Sequence, residues 1–173
     1  MSVAADKPPE QEAFAGQIRG MFDRIAGVYD LMNTAMTAGL HHRWRERAAD
    51  RADLDPGDAA LDVCCGTGDL AFELAKRVRR EGRVIGSDFS ERMLDLAREK
   101  AADRNVSQVR FEWADALDLP YGDESFDAVT VGFGVRNLAD LELGIEEMTR
   151  VLKPGGRLVI LEITQPRRPP LST

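Results

Sequence analysis

Within LDVCCGTGDL, Leu61 to Leu70, an apolar run meets the turn Gly66-Thr67-Gly68 and passes into Asp69-Leu70-Ala71. Glycines at this G-x-G-x-x-A spacing let main-chain N–H groups approach a bound phosphate or ribose closely. Asp88 follows about 20 residues later, at the end of a second apolar run, where a carboxylate accepts hydrogen bonds from ribose hydroxyls. The chemistry these residues offer is recognition of a nucleoside-containing ligand. A tight strand–helix turn with no ligand is the alternative.

Taken alone, the loop suits NAD and S-adenosylmethionine alike. Asp62 lies inside the first strand, four residues before Gly66. An acid there opposes a pyrophosphate, which favours positive potential. It suits a cation carrying an ammonium and a sulfonium. Asp115 follows a third strand, and Asp115-Ala116 offers an acceptor and an N–H to an adenine edge. LKPGG precedes a fifth strand. Together these features resemble the class I S-adenosylmethionine-dependent methyltransferases, Rossmann-like doubly wound α/β folds. The donor's methyl group is already electrophilic, so the enzyme mainly aligns it with a nucleophile. An NAD-dependent oxidoreductase is the rival enzyme class, and a cofactor-binding module without turnover is a third reading.

Elements must position these residues. Residues 1–13 read as a mobile polar tail. Residues 14–57 read as an N-terminal helical cap, closed by the turn Asp55-Pro56-Gly57. Residues 58–165 alternate strand and helix, which implies a parallel sheet wound on both faces. The expected strands are Ala59–Cys64, Arg83–Asp88, Val109–Trp113, Phe126–Val131 and Arg157–Ile163. The expected helices are Asp69–Arg79, Glu91–Arg104 with Ser90 as N-cap, and Asp140–Leu152. Residues 166–173 read as a proline-rich linker. The fifth strand is too apolar for a comfortable sheet edge. The expectation is a fragment lacking two last strands, or an edge covered by a partner, which leaves a homo-oligomer open.

The bulk properties agree with a globular domain. The chain has 173 residues, 43% hydrophobic and 31% charged, with net charge −7 and a pI near 4.9. An acidic chain gains no general attraction to phosphate backbones, so no nucleic-acid partner is expected. The only cysteines, Cys64 and Cys65, are adjacent on a strand and point to opposite faces. They read as small packing residues in a reducing compartment, and no metal is expected. No signal peptide or long apolar span is visible. The expected location is cytoplasmic.

Three segments then become specific. YDLMNTAMTAGLHHRW (Tyr29–Trp44), GFGVRNL (Gly132–Leu138) and RVLKPGGRLVILEIT (Arg150–Thr164) resemble the ubiquinone/menaquinone biosynthesis C-methyltransferases, the UbiE/MenG family. The resemblance runs from about Phe14 to Pro166. Thr37 and Gly132 depart from it, since the family usually has serine at the first and many members present a serine at the second. The resemblance implies S-adenosylmethionine as donor and a polyprenyl quinol as acceptor. That quinol is demethylmenaquinol, or the methoxy-benzoquinol of the ubiquinone pathway. It also implies further strands after the fifth.

A quinol ring carbon becomes a nucleophile when its neighbouring hydroxyl, with a pKa of about 10, loses its proton. A fixed cation beside the oxygen favours that loss. Arg136 is the candidate, the alternative being a surface pair with Asp140. Asn137 is a candidate for a ring oxygen, or a turn residue. Tyr29 and Asn33 lie one helical turn apart and both face one side, as pocket or as core. Asp69 is a helix-end carboxylate or a proton relay. Of His41 and His42, at most one faces a pocket. Met21, Met32 and Met36 suit a prenyl tail or ordinary packing. Arg43, Arg45, Arg47 and Arg51 read as a solvated helix face, or as a transient contact with anionic lipid at the inner membrane surface. The cofactor-binding set is Asp62, Gly66, Thr67, Gly68, Asp88, Asp115, Ala116 and Gly132. The catalytic set is Arg136, Tyr29 and Asp69, with Asn33 and Asn137 toward substrate.

Overall fold

A computed structural model describes residues 9–163. Three helices come first: α1 (Pro9–Ile25), α2 (Tyr29–Thr37) and α3 (Leu40–Arg51). Strands and helices then alternate as β1 (Ala59–Val63), α4 (Asp69–Val78), β2 (Arg83–Asp88), α5 (Glu91–Asp103) and β3 (Val109–Trp113). β4 (Phe126–Gly132), α6 (Leu141–Arg150) and β5 (Leu152–Leu161) complete the described chain. The five strands are parallel, in the order β3-β2-β1-β4-β5. The order reverses beside β1, and ligands of such sheets lie at the carboxyl ends flanking that reversal.

β1 is central, and all five of its residues are buried. Helices cover both faces, which is why its sequence is nearly continuously apolar. One face packs α3 and α4 through Ala48, Ala49, Leu74 and Val78. The other packs Leu61, Val63, Val129 and Val131 against Met148 of α6. The small alanines of α3 permit close approach to α4. Arg77 of α4 fastens that contact through Asp50 (2.7 Å) and the Glu46 carbonyl (3.2 Å).

Local chemistry sets the helix ends. Ser90 Oγ accepts the Met93 N–H at 3.3 Å and Asp140 Oδ1 accepts the Leu143 N–H at 3.1 Å, so both are N-caps. Gly68 starts α4 with φ +85°, and a Cβ there would lie 2.6 Å from the Phe111 ring. Only glycine fits both demands.

Some boundaries differ from the sequence reading. α1 begins at Pro9, a residue favoured in a first helical turn, and takes in residues assigned above to the tail. α6 stops at Arg150 because Leu152 pairs with Phe126. Pro154-Gly155-Gly156 is an irregularity within β5, after which pairing resumes at Ala128↔Arg157. Among the described residues β5 is an edge strand, with Ile160 43% exposed.

The end of the sheet remote from the carboxyl tips is tied by charge. Asp127 accepts the Ala59 N–H at 2.9 Å and Lys153 Nζ at 2.8 Å. Arg150 bonds Glu147, Asp123 and the Leu119 and Tyr121 carbonyls, all within 3.0 Å.

Candidate active site

A cavity of about 380 Å³ opens at the carboxyl ends of β1, β2 and β4. Gly66, Asp88, Asp115, Ala116 and Gly132 line it, as the sequence reading placed them. Trp113 and Phe89 add aromatic wall, and Trp113 Nε1 donates to the Phe89 carbonyl at 3.0 Å. α1 closes one side with Arg19 and Phe22, and the Arg19 guanidinium stands 5.9 Å from the centroid of Phe89. Asn137 lines the cavity from a short 3₁₀ turn, Val135–Asn137.

Asp88 is built into the loop itself. Its Oδ2 accepts the Gly66 N–H at 2.8 Å and its Oδ1 accepts the Ser90 N–H at 3.0 Å. Only 7% of its surface is exposed, and that burial raises its pKa despite the amide bonds. Asp115 Oδ1 accepts the Leu117 N–H at 2.9 Å, which shapes the turn presenting Ala116.

Asp62 is different. Thr130 Oγ1 donates to its Oδ1 at 2.7 Å, while Oδ2 is buried without a hydrogen-bond partner. Burial pushes its pKa up to about 7. A buried carboxylate oxygen left open at the rim of a cavity fits a cationic ligand group.

Thr67 and Asp69 face a smaller adjoining space with Asp62 and Arg45. Burial works to raise the Asp69 pKa, but Lys100 at 3.0 Å, Arg45 and Arg104 together lower it. Asp69 is thus held as an anion and is a poor proton acceptor. Lys100 also donates to Thr67 Oγ1 at 2.9 Å. Burial raises both cysteine thiols well above their usual pKa, so they stay protonated and unreactive.

Other candidates fall elsewhere. Arg136 is on the surface near the mouth and pairs with Glu162 at 3.0 Å rather than with Asp140. Glu162 was not singled out, because the pairing joins positions far apart in sequence. Tyr29 and Asn33 belong to the α2 backbone, but their side chains lie outside the described residues. His41 is buried, bonded to Thr34 and Arg45, while His42 is exposed.

One reading of the arginine-rich helix is corrected. Arg45 is not on a solvated face: it is 7% exposed, and its guanidinium lies 5.4 Å from the centroid of Phe133. It stands one turn after His41 and one before Ala49, both buried. That i, i+4, i+8 phase was the available signal.

Comparison with known proteins agrees with this geometry. The ubiE/COQ5 methyltransferase family model matches residues 10–173. A demethylmenaquinone methyltransferase of Lactobacillus johnsonii is 44% identical over 165 residues, covering 95% of this chain and 66% of that protein. A 2-phytyl-1,4-naphtoquinone methyltransferase of Thermosynechococcus vestitus is 43% identical, over 87% of this chain and 66% of that protein. The chain thus spans about two thirds of the length of these relatives. Among solved structures, a SAM-dependent methyltransferase from Aquifex aeolicus superposes with TM-score 0.66 at 27% identity, over 72% of this chain and 66% of that one. The [4+2]-cyclase SpnF superposes with TM-score 0.77 at 27% identity, over 90% of this chain and 63% of that one. The fold is that of the class I methyltransferases, and the chain belongs to the ubiE/COQ5 methyltransferase family.

Proposed function

We propose that this protein methylates a ring carbon of a polyprenylated quinol, with demethylmenaquinol as the first acceptor to assay and S-adenosylmethionine as donor. The observation carrying this reading is the 41–45% identity, over about nine tenths of the chain, to relatives named as demethylmenaquinone methyltransferases. The acid-lined cavity supports the donor: Asp62 meets a cationic end and Asp88, Asp115 and Ala116 meet a nucleoside. Bound there, S-adenosylmethionine supplies an electrophilic methyl group on sulfur.

The acceptor's hydroxyl gives up its proton, and the charge spreads to the adjacent ring carbon. That carbon forms the new C–C bond as the C–S bond breaks, and loss of the ring proton restores aromaticity. Arg136, held by Glu162 near the mouth, favours the phenolate form. Asn137, on the cavity wall, orients a ring oxygen. Asp69 is not assigned as base, because three cations hold it ionised.

A prenyl tail brings the acceptor to a membrane surface. Among the described residues no helix is long and apolar enough to cross a membrane. α2 turns Leu31 (71% exposed) and Met36 (79%) outward, which supports peripheral contact from the cytoplasmic side.

Calorimetric titration with S-adenosylhomocysteine and with NADH tests the donor, and binding of NADH alone would overturn the methyltransferase reading. Transfer of labelled methyl to demethylmenaquinol tests the acceptor. Arg136→Ala is expected to spare donor affinity and to lower turnover by about 100-fold, as loss of one charge-stabilising group does. Unchanged turnover removes Arg136 from the chemistry.

A further inference from the structure

Val28, Leu31, Met32, Met36 and Leu40 are all exposed, in one stretch that runs through α2 to the first residue of α3. Large apolar side chains gathered in this way mark a surface that something covers. The charges of the next helix narrow down what that is.

On α3 the 3.6-residue period puts Leu40, Arg43, Arg47 and Arg51 along one exposed stripe. The opposite side is the buried one, with His41, Arg45, Ala48 and Ala49. Glu46 and Asp50 form the neighbouring row, and Arg77 of α4 docks there, on Asp50 at 2.7 Å and on the Glu46 carbonyl at 3.2 Å. Among the described residues, Arg43, Arg47 and Arg51 have no ion-pair partner. The run of arginines thus divides: Arg45 turns inward, and the other three keep their charge outward beside apolar surface. The chain as a whole has net charge −7, so an anionic surface repels it except where positive charge is left uncompensated.

Apolar side chains flanked by outward arginines match the boundary of a bilayer, where acyl chains lie beneath phosphate headgroups. An arginine stem lies along apolar surface while its guanidinium meets phosphate. A two-fold contact between copies through this stripe would gather both sets of arginines in one interface, which disfavours a second copy as the occupant. We propose that the outer face of α2 and α3 docks on a bilayer carrying anionic headgroups, with Leu31, Met36 and Leu40 toward the acyl chains and Arg43, Arg47 and Arg51 on the phosphates. This docking rests on the quinol reading above and adds to it the charge of the lipid and the residues that read it. The inner side of α3 meets the cavity wall, with the Trp44 and Phe133 ring centroids 6.5 Å apart. Bilayer and cavity then lie on opposite sides of one helix, a short path for a lipid-borne acceptor.

Binding of the full chain to vesicles is measured by sedimentation, for phosphatidylcholine alone and for phosphatidylcholine with about one third phosphatidylglycerol. The unmodified chain is expected to bind the anionic vesicles about 100-fold more tightly, from about 5-fold for each arginine near the surface, and to lose most of that preference in high salt. The triple variant Arg43→Gln/Arg47→Gln/Arg51→Gln should bring the ratio close to one. Leu31→Ser/Leu40→Ser should weaken binding to both vesicles by about 10-fold or more while keeping the ratio. Affinity for S-adenosylhomocysteine should stay at the parent's value in both variants, since none of these side chains lines the cavity. An anionic preference that survives in the triple variant overturns the docking, as does failure of the unmodified chain to bind either vesicle. A dimer in analytical ultracentrifugation that the same substitutions abolish also overturns it, and gives the face to a second copy. If the triple variant does not fold, an unreduced ratio in Arg47→Gln alone overturns it. Methyl transfer to a short-tailed quinol without vesicles keeps the two readings apart. Transfer without vesicle binding sinks the docking alone, and vesicle binding without transfer sinks the quinol reading alone.

Discussion

Asp88 and Asp62 stand on neighbouring strands, both nearly out of water, and the protein treats them oppositely. Asp88 ends β2 with both oxygens occupied by main-chain N–H groups of the glycine loop and the α5 start. Asp62 sits inside β1 opposite Gly86, with one oxygen satisfied and the other left open. The first is part of the frame and shapes its end of the cavity whether or not anything is bound. The second is costly until a ligand arrives. Preorganisation and stored desolvation thus lie side by side in one site, and they respond differently to mutation and to pH.

The largest effect separating them is Asp88→Ala. It strips partners from two amides, each costing about 1–3 kcal/mol when buried and unmet. Urea unfolding should show a loss of about 2 kcal/mol, and donor affinity should fall 100-fold or more. A stable variant that still binds would make Asp88 dispensable to the frame.

Asp62→Asn should do the reverse to stability. A pKa raised from 3.8 to about 7 means that folding takes up a proton between those values. Stability from this group is therefore full below about pH 4 and is lost as pH rises toward 7, amounting to about 4 kcal/mol for the buried charge. Asparagine gives back part of that. A variant that matches the parent at pH 5 should exceed it by about 2.5 kcal/mol at pH 8, and should bind the donor about 10-fold less well. Equal stabilities at both pH values would mean that Asp62 carries no excess proton.

The smallest effect is the pH dependence of binding. A cationic ligand favours ionised Asp62, so donor affinity should rise severalfold from pH 6 to pH 8 and level off above the pKa near 7. Asp62→Asn should flatten that profile. A slope that persists in the variant would place the titrating group elsewhere.

Much of this was legible in the chain. The places of the glycine loop, Asp62, Asp88 and Asp115 around the two spaces were readable because strand–turn–helix chemistry is local: a turn demanding positive φ selects glycine, and the acids lie on a strand or just at its end. Ser90 was readable for the same reason. Arg45 was missed because a run of arginines resembles a solvated face, although its phase with His41 and Ala49 marked it as inward. The Arg136–Glu162 pair was invisible, since it joins the turn after β4 to the end of β5 through tertiary packing alone. The extent of β5 was misjudged because Pro154-Gly155-Gly156 carries turn chemistry that the neighbouring strand overrides.

The ties made by Asp127 and Arg150 lie at the end of the sheet remote from the cavity. Part of the robustness is therefore written in residues that take no part in the chemistry. Selection, or an engineer, can raise or lower the heat tolerance of this protein at one end of its strands. Its choice of ligand at the other end is left alone.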